Sequence, residues 1–138
     1  MTEQRPYVSV RETMTSNPRC VDGLAAVSEA IQIMRDEGLR SLVIEKRHTG
    51  DEHGMIVIHD IAEKVISQGR APNRVSVYEI MSKPAITVDA EMDIKYAIRL
   101  LTRFNLSRAL VMEKDKLIGI VTQRDMVLRF AEYEGEAG

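Results

Sequence analysis

The amino-acid sequence predicts a mixed α/β (α+β) fold built from two copies of one β-α-β-β-α unit. The sequence aligns with itself at an offset of 67 residues, with eight identities between positions 10–39 and 77–106, where ordinary residue frequencies would give about two. In each copy, an amphipathic helical pattern is followed by two short apolar runs of strand type. Because a unit of roughly sixty residues is marginal on its own, we expect the copies to pack with pseudo-twofold symmetry and to form two ligand-binding clefts between them.

The first helix of each copy is predicted from apolar residues that recur at helical spacing. Each stripe has three members, which are Val27, Ile31 and Met34 in the first copy and Ile94, Ile98 and Leu101 in the second. Gly38 and Asn105 follow these helices, and both residue types tolerate the left-handed conformation that ends a helix. Asp22 and Asp89 precede the helices and are expected to be N-caps or turn residues.

The rest of each copy is predicted to be a pair of strands and a closing helix. Apolar runs at 42–44 and 109–112 predict the first strand of each pair, and runs at 55–58 and 117–121 predict the second. The turn inside the pair is long in the first copy and short in the second. We therefore place the first repeat at 8–68, a linker containing Pro72 at 69–74, the second repeat at 75–131 and a disordered tail at 132–138.

Composition and charge argue against several classes of function. The net charge is −2 with both signs interspersed, and aromatic residues make up 4% of the chain, so we expect no nucleic-acid surface. No apolar run is long enough to span a bilayer, so no membrane association is expected. The single cysteine, Cys20, and an N-terminus without the pattern of a signal peptide favour the cytoplasm.

Several motifs occur in the order and spacing of a known family. Gly119-Ile-Val-Thr122-Gln-Arg-Asp125 resembles the signature of the cystathionine β-synthase (CBS) domain, and segments 14–18 and 81–84 resemble the lead-in of that family. The resemblance covers residues 8–130. It implies a stand-alone CBS pair (a Bateman module) that binds an adenine nucleotide such as AMP or ATP, or S-adenosylmethionine, and that needs no cofactor. It also implies a regulatory role in signal transduction, a homodimer and an effector protein in another chain.

Thr122 and Asp125 lie where a predicted strand turns into a helix. From the residues alone, Thr-x-x-Asp is equally a capping box, in which the hydroxyl accepts a free backbone N–H and the carboxylate reciprocates. The resemblance implies ligand binding with the same geometry, because the carboxylate can accept hydrogen bonds from ribose hydroxyls while the helix N-terminus favours phosphate. The two interpretations are compatible, since a residue that caps a helix can also bind a ligand.

The first copy departs from the signature, because Val57 stands where Thr or Ser is usual. Valine cannot hydrogen-bond to a ligand oxygen, so we expect the second-copy site to be the better one. Arg40 and Arg108 precede equivalent predicted strands, and guanidinium groups suit phosphate oxygens. The alternative interpretation, that they are solvated arginines at a strand edge, stays open. The ligand-binding residues implied by the resemblance are Gly119, Thr122, Arg124, Asp125 and Arg108, then Asp60, His59 and Arg40, and finally Ser82, Ile86, Thr15 and Arg19 as adenine-walling residues.

Two other functional classes were weighed against nucleotide sensing. A protein-interaction module without a small-molecule ligand would share the fold, and Val57 favours it. An enzyme is not expected, because the spacing places no nucleophile beside a base and no compact metal motif is present. We interpret His48, Asp51, Glu52 and His53 as solvated residues of the long turn and not as metal ligands.

Overall fold

The computed structural model describes the backbone of residues 7–137 and shows the predicted element order in both copies. A short strand, β1 (Thr15–Ser16), comes first. The first copy then contains β2 (Cys20–Val21), α1 (Val27–Glu37), β3 (Ser41–Ile44), β4 (Gly54–Val57) and α2 (Ile58–Ile61), and the second contains β5 (Thr87–Asp89), α3 (Ile94–Arg103), β6 (Arg108–Glu113), β7 (Lys116–Thr122) and α4 (Gln123–Ala137). The predicted α+β class with two β-α-β-β-α repeats is confirmed.

The remaining helical segments are short or continue a longer helix. α2 runs directly into a π-helical turn at Ala62–Ile66, and 3₁₀ turns lie at Val10–Glu12, Pro72–Arg74 and Val77–Glu79. α4 reaches Ala137, so the backbone of the segment predicted to be a disordered tail is helical as far as that residue. No helix among residues 7–137 is both long enough and apolar enough to cross a lipid bilayer.

The chain forms two compact units that do not coincide with the two sequence copies. The continuous unit is Arg19–Ala85, and the split unit combines the described parts of Met1–Pro18 and Ile86–Gly138. The first-copy lead-in therefore lies in the split unit with the second-copy sheet, while the second-copy lead-in lies in the continuous unit with the first-copy sheet. Each unit is thus a hybrid of the two copies.

The continuous unit has a three-stranded sheet in the order β2-β3-β4. β2 and β3 are parallel because α1 connects them, whereas β3 and β4 form an antiparallel hairpin. The predicted stripe of α1 faces the core, since Val27 and Met34 are buried and Ile31 packs against them. The buried core of this unit consists of Val21, Val27, Ala30, Met34, Leu42, Ile44, Ile56, Ile61, Val65, Val75, Val77 and Ile80.

The split unit has a four-stranded sheet in the order β1-β7-β6-β5. β5 and β6 are parallel across α3, and β1 is added at the outer edge of β7. Ile94 and Leu101 are buried and Ile98 packs against the core, as the helical spacing predicted. The core consists of Val8, Val10, Val88, Ala90, Ile94, Ala97, Leu101, Ala109, Val111, Val121 and Met126.

The residues predicted to lie at the ends of the helices adopt the expected conformations. Gly38 (φ 67°) and Asn105 (φ 54°) adopt the left-handed conformation just after α1 and α3. Asp22 and Asp89 each accept a backbone N–H from two residues further along the chain, so they act as turn residues. α3 is capped instead by Asp93, whose carboxylate accepts the N–H of Lys95 at 3.0 Å.

Each lead-in lies directly against a strand glycine. A Cβ atom placed on Gly119 would lie 2.6 Å from Met14 Sδ and 2.8 Å from the carbonyl oxygen of Thr15. In the continuous unit, a Cβ atom on Gly54 would lie 2.6 Å from Met81 Sδ. These distances are shorter than van der Waals contact, so the glycine of the signature motif is required for packing whether or not a ligand binds.

We predict that Gly119→Ala destabilises the protein. The new methyl group meets a backbone carbonyl as well as a flexible methionine, so the cost of overpacking is about 1–3 kcal/mol. Urea unfolding followed by circular dichroism measures this change. Gly50→Ala is the matched control, because the nearest atom to its added Cβ is His48 Nδ1 at 4.0 Å. Equal stability of the two variants would show that the close approach carries no energetic constraint.

Candidate functional site

The predicted ligand-binding residues separate into two groups, one in each unit. The split unit contains Thr15, Ile86, Arg108, Gly119, Thr122, Arg124 and Asp125, and the continuous unit contains Arg19, Arg40, His59, Asp60 and Ser82. The structure thus brings the first-copy lead-in to the second-copy signature, which a comparison of equivalent positions could not indicate.

In the split unit, the junction of β7 and α4 is held by local hydrogen bonds. The Thr122 hydroxyl accepts the backbone N–H of Asp125 at 3.0 Å, so the cap predicted from the sequence is present. The N–H of Gln123 donates to the carbonyl of Ser107 at 2.8 Å, which fixes the helix start against the beginning of β6. The positive end of the α4 dipole therefore lies in a fixed position beside a hydroxyl group.

Two arginines and a carboxylate flank this helix start. Arg108 is the direct strand partner of Thr122 and is half-buried at the beginning of β6. The side chain of Asp125 is 39% exposed, and Arg124 Nη1 lies 3.7 Å from its Oδ1 atom. An accessible acceptor for hydroxyl groups therefore lies beside cationic groups that suit phosphate.

The two adenine-walling candidates of the split unit take different positions. Thr15 is exposed on β1 and is opposite Ile120, two residues before Thr122 on β7. Ile86 precedes β5, packs against the core and accepts the N–H of Leu110 through its carbonyl at 2.9 Å. β1 therefore lies along β7, the strand that leads to the start of α4.

The equivalent helix start in the continuous unit has different chemistry. Asp60 Oδ2 accepts the N–H of Val57 at 3.1 Å, which is the carboxylate half of a capping box without the hydroxyl half. Lys64 Nζ lies 3.6 Å from Asp60 Oδ1, and the Asp60 side chain is only 14% exposed. Its oxygens are thus engaged within the protein. Sequence reasoning missed Lys64, although a spacing of four residues signals such a pair.

The other candidates of this unit contact neighbours through side-chain or backbone groups. His59 Nε2 lies 2.7 Å from Glu63 Oε2, and Arg19 Nε lies 3.1 Å from Glu37 Oε2. Ser82 pairs with Met55 of β4 through backbone hydrogen bonds in both directions at 2.9 Å. Arg40 lies just before β3, where its side chain is exposed and its carbonyl accepts the N–H of Ile58 at 2.9 Å.

The long turn of the first copy corrects one interpretation from the sequence. Asp51 is not a solvated residue, because its side chain is 10% exposed and pairs with Lys83 Nζ at 2.7 Å. The hydrogen bond from Lys83, with a further one from the N–H of Arg47, holds the pKa of Asp51 well below its usual range. His53 is half-buried, with Nδ1 shielded from solvent. The loop is therefore anchored to the second-copy lead-in, which a count of polar residues could not show.

The described side chains include no metal cluster and one half-buried thiol. Among residues 7–132, no group of three or more His, Cys, Asp or Glu side chains could hold a metal ion. Cys20 is half-buried in β2, and burial raises the pKa of its thiol, which disfavours the nucleophilic thiolate. The start of α4 carries a hydroxyl group, a carboxylate and guanidinium groups, which can form hydrogen bonds and ion pairs.

Comparison with known proteins identifies the repeat. The family model of the CBS domain matches residues 10–67 and 77–132, which together cover most of the chain. An uncharacterized protein of Methanopyrus kandleri is 34% identical over 124 residues, spanning 87% of this chain. The chain covers 59% of the length of that relative.

Two solved structures share the fold over nearly the whole chain. The hexameric CBS-CP12 protein from bloom-forming cyanobacteria is 34% identical with a TM-score of 0.87, covering 92% of this chain and 73% of that one. The CBS domain pair of protein MJ0100, in complex with 5′-methylthioadenosine and S-adenosyl-L-methionine, is 25% identical with a TM-score of 0.79. The match covers 92% of this chain and 98% of that one.

The difference between the two helix starts predicts that only one of two reciprocal substitutions destabilises the protein. Thr122→Val removes the acceptor of the Asp125 N–H and should destabilise the protein by about 1 kcal/mol. Val57→Thr supplies the missing acceptor for the N–H of Asp60 and should leave stability unchanged or raise it. Chemical unfolding of both variants measures the difference. Loss of stability in Val57→Thr comparable to that in Thr122→Val would contradict the capping role.

Proposed function

The chain belongs to the CBS domain family, and we propose that it is a regulatory module that binds an adenosine compound at the start of α4. The observation that carries the proposal is the accessible carboxylate of Asp125 beside the Thr122-capped helix N-terminus. A family that includes a pair in complex with two adenosyl compounds supports this class of ligand. AMP, ADP, ATP and S-adenosylmethionine are the candidates.

Each part of the proposed ligand has a complementary group in the split unit. Asp125 accepts hydrogen bonds from the ribose hydroxyls, and the N-terminus of α4 together with Arg108 favours the phosphates or another anionic group. Thr15 on β1 borders the base. Because β1 comes from the first copy, the proposed site needs both copies of the sequence.

The site in the continuous unit is proposed to be the weaker one. The carboxylate of Asp60 already accepts the N–H of Val57 and pairs with Lys64. A ligand would therefore have to displace existing interactions before it could use that carboxylate. The absence of a hydroxyl at Val57 removes a further hydrogen bond.

Regulation follows if the ligand binds one arrangement of the protein better than another. The ligand can shift the equilibrium between the two arrangements only by the difference between its binding free energies for them. In this proposal, an effector protein in another chain reads the altered surface. The proposed location is the cytoplasm, because a sequence with a single cysteine suits a reducing compartment.

Isothermal titration calorimetry with AMP, ADP, ATP and S-adenosylmethionine tests the ligand proposal. We expect micromolar binding of at least one of them to the wild-type protein. Asp125→Ala should abolish this binding, because it removes the acceptor of both ribose hydroxyls. Asp60→Ala is the matched control and should leave the high-affinity site intact.

The alternative outcomes have clear meanings. If none of the four ligands bound at millimolar concentration, the protein would be better described as a protein-interaction module without a small-molecule ligand. If Asp60→Ala abolished binding while Asp125→Ala did not, the assignment of the main site to the split unit would be wrong.

We also propose that the protein forms a homodimer through its closing helices. Val127 and Leu128 of α4 are 53% and 47% exposed, and Ile58 and Ile66 of the first closing helix are 49% and 56% exposed. Large apolar side chains with this exposure are stabilised when another protein surface covers them. The hexameric CBS-CP12 protein shows that a relative of this chain self-associates.

Sedimentation velocity tests the dimer. We expect the wild-type protein to sediment as a dimer at micromolar concentration, whereas a Val127→Glu/Leu128→Glu double variant should be monomeric, because two buried carboxylates would be desolvated at the interface. Gln32→Glu, on the exposed surface of α1, is the control for added charge. A monomeric wild-type protein would contradict the proposed assembly.

A further inference from the structure

The continuous unit contains a cavity at the end of β4 opposite to Asp60. Its volume is about 610 Å³, which is within the usual range of roughly 300–1,000 Å³ for small-molecule sites. It lies between the turn after β2, the end of β3 and the beginning of β4 at Gly54. Asp60 follows the other end of β4, so the cavity is separate from the helix-start site described above.

One wall of the cavity is apolar although it faces solvent. Leu24 is 77% exposed and Tyr78 is 51% exposed, and Met81 completes this wall. Large apolar side chains with this exposure are stabilised when another apolar group covers them. The wall therefore favours a ligand with an apolar or aromatic part.

The remaining lining carries both signs of charge in equal number. Three carboxylates and three cationic side chains contribute to it. Lys83 is held by Asp51, but Lys46 and Glu52 have no ion-pair partner among the side chains of residues 7–132. An ammonium group and a carboxylate are thus available to a ligand on the same cavity surface.

The same place in the split unit carries an ionic cluster. Arg11 occupies the position equivalent to Tyr78 and forms ion pairs with Glu91, at 2.9 Å, and with Glu113. Glu91 and Glu113 are equivalent to Leu24 and Lys46 at the offset of 67 residues. The apolar wall therefore stands where the other copy carries charged side chains, and the longer turn before β4 contributes Arg47 and Glu52 to the lining.

We propose that this cavity binds a free α-amino acid with a large apolar or aromatic side chain. The side chain would cover Leu24, Tyr78 and Met81. The α-carboxylate would pair with Lys46 and the α-ammonium group with Glu52. A zwitterion matches the balanced charge of the lining, whereas a nucleotide would add negative charge that the three carboxylates oppose. The proposal is independent of adenosine binding at the start of α4.

Titration of the ¹⁵N-labelled protein with L-phenylalanine and with L-leucine, followed by NMR, tests the proposal. We expect saturable shifts of the amide signals of Gly23, Leu24 and Gly54 at micromolar to millimolar ligand. N-acetyl-L-phenylalanine amide keeps the ring but lacks both charges, so it should bind at least about tenfold more weakly. Equal binding of the charged and uncharged ligands, or no shift at millimolar concentration, would overturn the proposal.

Variants locate the site. Leu24→Glu/Lys46→Glu/Tyr78→Arg transplants the ionic cluster of the split unit and should abolish amino-acid binding while leaving adenosine binding unchanged. Asp125→Ala should have the opposite effect. If the triple variant does not fold, Tyr78→Ala replaces it and should weaken phenylalanine binding at least about tenfold. Full amino-acid affinity in the folded cavity variant would overturn the assignment.

Discussion

The approach of each lead-in to the signature strand of the other copy is the constraint on which the rest of the structure depends. Met14 lies against Gly119 and Met81 lies against Gly54, in each case closer than a side chain at the glycine would allow. β1 can pair with β7 only because this contact is possible. The lead-in of each copy therefore belongs to the folded unit that contains the sheet of the other copy. Neither sequence copy corresponds to a complete folded unit.

This exchange determines which residues can act together. The hydroxyl, carboxylate and guanidinium groups near the start of α4 come from the second copy, while Thr15 beside them comes from the first. At the corresponding helix start of the continuous unit, the aspartate Asp60 is present, but its carboxylate accepts the N–H of Val57 and pairs with Lys64. The two copies thus keep apolar residues at equivalent core positions and differ where the strands end.

The sequence predicted the elements well because they follow from local physics. Helical spacing identified the buried faces of α1 and α3, and the left-handed residues Gly38 and Asn105 marked where these helices end. The pairing of Thr122 with the Asp125 amide also followed from a local motif. The exchange of lead-ins could not be predicted, because an internal alignment shows which positions are equivalent and not which copy each one packs against. The ion pair of Asp51 and Lys83 was missed for the same reason, since its members are far apart in the sequence.

In the proposed function, one ligand site is assembled from the first-copy lead-in and the second-copy helix start. An NMR titration of the ¹⁵N-labelled protein with AMP tests this assembly, because each amide reports on its own surroundings. We expect the amides of Thr15, Thr122 and Asp125 to shift together, with a common affinity. Shifts at Thr122 and Asp125 without any at Thr15, or shifts confined to the region of Ser82 and Asp60, would contradict it.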